Sequence, residues 1–219
     1  VRVKLDESQI KASDLLKSSK VSVDSTLGLD LFKILATGNN SDVLFSVSGI
    51  LFPAHSLVLC ARSSVFSSML SGPWKEKTKR TIELAEVTPR VFWALLKFLY
   101  DGKTPNPSLP PKSTASASAS AEEQEDSIQS WLELMLTADR FNVPELLKIC
   151  ENTVMELVDM SNVCGCMEVV HRCLPSVPHL GLFLSHFAMQ NLAEIKQLEE
   201  FQRLDATLIK DILLFSIHM

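Results

Sequence analysis

The stretch Ser41–Gly102 leaves this chain few ways to fold. Val43, Phe45 and Val47 alternate at the period of a half-buried strand, and Ser48-Gly49 supply a tight turn that returns Ile50–Phe52 antiparallel. Pro53 has no amide hydrogen for a ladder, so the second strand is expected to stop there. A helix then starts near His55 and runs through Leu57, Val58, Leu59 and Ala61. Ser63 or Ser64 caps the next helix, whose apolar face is Val65, Phe66, Met69 and Leu70. Lys75–Arg80 is a basic run that reads as a solvated loop, and Thr81–Leu84 reads as a third strand. Thr88 before Pro89 starts a longer helix that buries Val91, Phe92, Leu95, Leu96, Phe98 and Leu99 and ends at Gly102. A hairpin, two short helices, a strand and a long helix in one short run define an α+β class.

The flanks add helices. Leu27, Leu31, Ile34 and Leu35, with Phe32 alongside, form a helical stripe closed by Gly38, and residues 1–24 read only as an extended lead-in. From Lys103 to Asp126, four prolines, a Ser-Thr-Ala tract and the run Glu122, Glu123, Glu125, Asp126 cannot build a core, so 103–126 is expected to be a disordered insertion within the domain. Ser127 can cap a helix holding Ile128, Trp131, Leu132, Met135 and Leu136. Pro144 can begin another that buries Leu147, Ile149, Cys150 and Val154. Beyond Asp159 come Val163–Cys173, then Leu180–Leu192 with Phe183, Leu184 and Phe187, and Thr207–Leu214 introduced by Asp205, with Pro175 and Pro178 marking the break between the first two.

Several short motifs in this frame carry a family resemblance. Asp42-Val43 at the start of the hairpin, Phe52-Pro53-Ala54-His55, Ala61-Arg62-Ser63 followed by Phe66 and Met69, and Phe98-Leu99-Tyr100-Asp101-Gly102 resemble a BTB (POZ) domain. Ala138-Asp139-Arg140-Phe141 and Leu147–Glu151, beyond the insertion, resemble the closing helices of that fold. The resemblance implies a small sheet with helices around it over residues 25–158, and then an all-helical region at 159–219. That region, with Phe187–Leu192 and Glu200-Phe201, resembles the BACK region of many substrate adaptors and is expected to be cut short at Met219.

The resemblance also implies residue roles. A helix at Leu27–Leu35 packs across a twofold axis in BTB domains, making Leu27, Leu31, Phe32 and Leu35 the dimer interface; the other reading is a helix packed only on its own domain. Trp74-Lys75-Glu76 stands where cullin-binding relatives carry a bulky apolar residue, any residue and a glutamate. Trp74, Glu76 and Phe141 are therefore the candidate cullin contacts, the alternative being a Trp74 folded back on its own domain. Asp42 and His55 are assigned to the structural core. Ser56 follows the histidine where many relatives carry Lys or Arg, so no charged pocket can pair Asp42 with a base at that position.

Composition narrows the function classes. A net charge of -5 and a pI near 5.6 give no general attraction to phosphate backbones, so no nucleic-acid partner is expected. No apolar run reaches bilayer-spanning length and the start is not a secretory segment, so no membrane partner is expected and the protein is expected inside the cell, cytoplasmic and/or nuclear. A first residue Val1 rather than methionine suggests a segment of a longer protein. Five cysteines without framework spacing read as free thiols. Cys164, Cys166, His171 and Cys173, with His179 beyond, could hold zinc, but Cys166, Val170 and Cys173 share one helical face and favour core packing; neither metal nor cofactor is expected.

No P-loop, dinucleotide fingerprint, zincin helix or nucleophile elbow is present, and His55 between a hairpin and an apolar helix reads as structural, so no enzyme is expected. The reading is a dimeric adaptor that links a cullin scaffold to an unidentified protein substrate for ubiquitination. The alternatives are a BTB dimerisation scaffold and a transcription-regulator module recruiting corepressors. Helices that follow at once, without zinc-finger spacing, favour the adaptor.

Overall fold

The computed structural model describes residues 26–71, 80–107 and 128–215. Helix α1 (Thr26–Thr37) leads into β1 (Val43–Val47) and β2 (Ile50–Ala54), followed by α2 (Ser56–Arg62), α3 (Ser64–Leu70), β3 (Arg80–Leu84) and α4 (Pro89–Asp101). After α5 (Ile128–Arg140) and α6 (Pro144–Leu157) come α7 (Val163–Cys173), a 3-10 turn at Leu174–Ser176, α8 (Pro178–Gln190), α9 (Leu192–Ile195), α10 (Glu199–Arg203) and α11 (Ala206–Phe215). No helix among the described residues is long and apolar enough to cross a membrane.

The three strands form one sheet in the order β2-β1-β3, with β2 antiparallel and β3 parallel to β1. Ser48 at φ +49° and Gly49 at φ +80° make the two-residue turn between Val47 and Ile50, the pair of positive φ angles that matches the twist of a hairpin. Pro53 does not end β2: it pairs opposite Leu44, and Ala54 continues the strand opposite Val43. The physical reason is that β2 lies on the sheet edge, where a missing amide hydrogen deprives no further strand of a partner. Pro53 also sets the end of α1. A Cβ on Gly38, which closes the helix at φ +63°, would lie 2.9 Å from the Pro53 ring, so only glycine fits.

The core centres on α4. Val91, Phe92, Ala94, Leu95, Leu96, Phe98, Leu99 and Tyr100 are all buried, as in a helix surrounded by others, and α1, α2 and α5 pack on it. Thr88 is its N-cap residue and Pro89 its first turn, but the Thr88 hydroxyl donates to Glu133 on α5 (3.3 Å) and makes no cap bond. Ser63, in contrast, caps α3 directly by accepting from the Phe66 amide at 3.1 Å. On α6 the buried row is Leu146, Cys150, Glu151 and Val154, whereas Leu147 and Ile149, expected inside, are only half-buried. The start at Pro144 phases the helix so that positions 146, 150 and 154 fall on the inner face.

The insertion expected at 103–126 does not begin as free chain: Pro105 and Pro107 are buried. Its remainder, the cap Ser127 and the lead-in at 1–24 lie outside the described residues. In the C-terminal region α8 packs against α6, α7 and α11. Cys164, Cys166 and Cys173 are buried with Met167 and Val170, and burial pushes the thiols of Cys166 and Cys173 up to about 12, as expected of core thiols. Asp205 introduces α11 as a cap, accepting from the Thr207 amide at 3.1 Å. Helices α9 and α10, of four and five residues, are too short to show a periodic stripe.

Candidate protein-interaction surface

The first surface is the outer side of α1. One face of the helix turns inward: Leu35 is 2% exposed, and the half-buried Phe32 ring sits 6.1 Å from Trp93 of α4. Leu35, expected at a dimer contact, therefore belongs to its own domain's core, because a stripe wide enough to seat the helix uses its deepest residue for that purpose. The opposite face keeps apolar side chains in water. Leu27, Leu29 and Ile34 are 66%, 49% and 41% exposed, and Leu27, the half-buried Leu31 and Ile34 follow one another along a single helical row.

The second region is a polar junction at the start of α2. The His55 Nε2 lies 2.7 Å from the Asn39 carbonyl, which only accepts, so the ring hydrogen is on Nε2. Nδ1 then accepts from the Tyr100 hydroxyl at 2.8 Å, and the same hydroxyl oxygen accepts from the His55 amide at 2.8 Å. Burial pushes the Tyr100 phenol up to about 12, more than the bond from His55 draws it down, so it keeps the proton this network needs. Asp42 accepts from the Ser56 amide at 2.8 Å and from the Ser56 hydroxyl, which ties the hairpin to the first turn of α2. Partial burial raises the Asp42 carboxyl, but the hydrogen bonds from Ser56 and from its own amide, with His55 nearby, outweigh that and hold it below the ordinary carboxylate range. Asp42 is itself exposed and His55 half-buried, so both sit in this junction rather than in the apolar core. Their polar groups are satisfied there by partners that a packed hydrocarbon core does not offer.

The third region joins α3 to the α5–α6 turn. Phe141 is 1% exposed, with its ring stacked on Phe66 at a centroid distance of 4.5 Å. Ser63 donates to the Phe141 carbonyl at 2.6 Å, and Asn142, at φ +49°, donates from Nδ2 to the Ser64 hydroxyl at 2.7 Å. These bonds join residues 78 apart in sequence and pin the start of α3 to the closing helices. The long-range partners of Ser63, Asn142 and Tyr100 escaped sequence reasoning. Their only signals are a polar residue between two apolar helices and an Asn ahead of Val143-Pro144, and neither names a distant partner. Trp74 and Glu76, the other expected contacts, follow α3 in sequence but lie outside the described residues.

A cleft of about 510 Å³ at the start of α4 is lined by Thr88, Glu133, Arg140 and Arg172, and another of about 440 Å³ in the C-terminal region by Cys164, Glu168, Glu200 and Arg203. Neither places a nucleophile in hydrogen-bond contact with a base among its described residues. Arg140 donates instead to the Ala85 carbonyl at 3.1 Å.

The sequence profile of the BTB/POZ domain matches residues 31–156, more than half of the chain. The chain belongs to the BTB/POZ family. BTB domains are protein-protein interaction modules, generally without catalytic activity, and the helical C-terminal region follows the domain directly. Among curated relatives, BTB/POZ and MATH domain-containing protein 6 of Arabidopsis thaliana is 30% identical over 181 residues, covering 83% of this chain and 42% of the relative. Kelch repeat and BTB domain-containing protein 4 of Homo sapiens is 30% identical over 173 residues, covering 79% and 28%. The chain thus spans less than half the length of these relatives. Among solved structures, the BTB domain of zebrafish PATZ1 is similar with a TM-score of 0.45 at 21% identity, covering 67% of this chain and 97% of that one.

Proposed function

We propose that this chain is the docking part of a dimeric adaptor that joins a cullin scaffold to a protein substrate for ubiquitination. The observation that carries the reading is the pinned elbow: Ser63–Phe141, Asn142–Ser64 and the Phe66–Phe141 stack hold α3 rigidly. A rigid helix before Trp74 and Glu76 lowers the ordering cost of presenting an aromatic anchor to a partner groove. Phe141 serves in this reading as the brace beneath the surface, since its ring is buried. Relatives that combine a BTB domain with MATH domains or Kelch repeats support a substrate-binding domain elsewhere in the full protein. The outer row of α1 is the proposed contact with a second copy, because Leu27, Leu31 and Ile34 form an apolar row, exposed at Leu27 and Ile34, that pairing would cover. An intracellular setting, cytoplasmic and/or nuclear, belongs to the same proposal.

Two measurements test it. Trp74→Ala with Glu76→Ala is expected to weaken binding to a cullin at least tenfold in calorimetry with the melting temperature nearly unchanged. Unchanged affinity discards the assignment, and a large fall in melting temperature shows that Trp74 packs on its own domain. Leu27→Glu with Ile34→Glu is expected to halve the mass in light scattering. A wild-type dimer that binds no cullin would instead make the chain a BTB dimerisation scaffold.

A further inference from the structure

Helix α8 begins without a cap of its own. Its N-cap residue is Val177, which has no side-chain acceptor, and Pro178 occupies the first turn. The acceptor arrives from the BTB unit: Glu151 on α6, 29 residues earlier, takes the Leu180 amide hydrogen on Oε1 at 2.9 Å. Glu151 is 3% exposed, and its other oxygen, Oε2, is held by the Lys148 ammonium at 2.7 Å. Lys148 is half exposed, and it is the one cation paired with Glu151 among the described residues.

The arrangement has a consequence for the whole C-terminal region. Helix α8 packs on α6, α7 and α11, so the angle at which its first turn meets α6 sets the position of α8 and bears on that of α11, while α7 is also seated directly on α5. A carboxylate this deeply buried is tolerated because an amide and an ammonium satisfy it; with the ammonium removed, the charge must either find water or leave its site. We propose that Lys148 and Glu151 form a charge-dependent clamp that fixes the helical region on the BTB unit, and that loss of the Lys148 charge opens it. The solvent-facing half of Lys148 makes the clamp reachable from outside while its carboxylate stays inside. In an adaptor the clamp would govern the geometry between the docking surface and the helical region, but the inference rests on the fold and not on cullin binding.

Hydrogen exchange on the full chain tests it, read at Leu180 and, as internal reference, at Phe45 in β1. Lys148→Gln is expected to speed exchange at Leu180 at least tenfold while Phe45 stays within threefold of wild type. Lys148→Arg, which keeps the charge, is expected to stay within threefold at both. Lys148→Gln combined with Glu151→Gln removes the buried charge while leaving an acceptor for Leu180, and is expected to restore slow exchange. The clamp is disproved by wild-type exchange at Leu180 in Lys148→Gln, by a double variant as fast as the single one, or by equal acceleration at Phe45, which would mean global destabilisation.

Discussion

In the BTB unit, rings from several elements meet inside an otherwise aliphatic core. Phe45 lies 5.2 Å from Phe92 and 5.6 Å from Phe66, Phe52 lies 5.4 Å from Phe92, and Phe66 stacks on Phe141. In the helical region the buried side chains include Cys164, Cys166, Met167, Val170, Leu180, Leu184, Ala188, Phe201 and Ile212, and the ring contact there among the described residues is the half-buried pair Phe183–Phe187 on one helix. The rings join strands and helices far apart in sequence, so each spans several elements at once. The small and flexible side chains of the helical region join neighbouring helices, and polar caps such as Asp205 and Glu151 do the positioning. Rings therefore bridge separate elements in the BTB unit, whereas the ring contact of the helical region stays within one helix among the described residues.

The strongest challenge to this contrast is Phe66→Ala. Phe66 is fully buried and touches two other rings, so its loss should cost about 3–5 kcal/mol in urea unfolding. A cost below about 2 kcal/mol would mean that the ring network is replaceable packing. Met167→Ala, equally buried in the helical region, should fall near the lower end of about 2–5 kcal/mol because its flexible neighbours can close the gap. If Met167→Ala proves the costlier of the two, the comparison is reversed.

The smallest effect sharpens the comparison through pH. Asp42 titrates below its ordinary value of 3.8 in the folded chain, so it contributes stability above that pH and loses it as pH falls through the folded value. Asp159, held down chiefly by the Ser161 hydroxyl, and Asp205, held down chiefly by the Thr207 amide, act in the same sense from the helical region. Melting temperature followed from pH 5 downwards should fall less steeply below about 4 in Asp42→Asn than in wild type, with the remaining slope coming from the helical region. An unaltered slope would show that the junction at Ser56 makes no acid-sensitive contribution.

Much of the fold was legible because its signals are local. The alternation Val43, Phe45, Val47, the turn Ser48-Gly49, the cap at Ser63 and the Pro89 start of α4 each depend on a few adjacent residues. The Pro53 misreading shows the limit of such rules. Whether a proline ends a strand depends on whether the strand lies at the edge, and strand order is a property of the sheet, not of the stretch. The phase of α6 and the inward turn of Leu35 were lost for a related reason. Which apolar residues of a helix go deepest is decided by what packs opposite, which is α4 for Leu35 and α5 with α8 for α6.

The sequence by itself determined the element types, their order through the BTB unit and the family, since periodicity, capping and turn chemistry act over a few residues and the motifs lie within that range. Only the tertiary structure decided that β3 joins β1 in parallel, that Ser63 and Asn142 brace the α5–α6 turn, and that Glu151 caps α8 in place of Val177. Each of these depends on a pair separated by tens of residues. A lone serine, asparagine or glutamate carries the same hydrogen-bonding groups wherever it stands, and only the folded chain brings its partner within 3 Å of it.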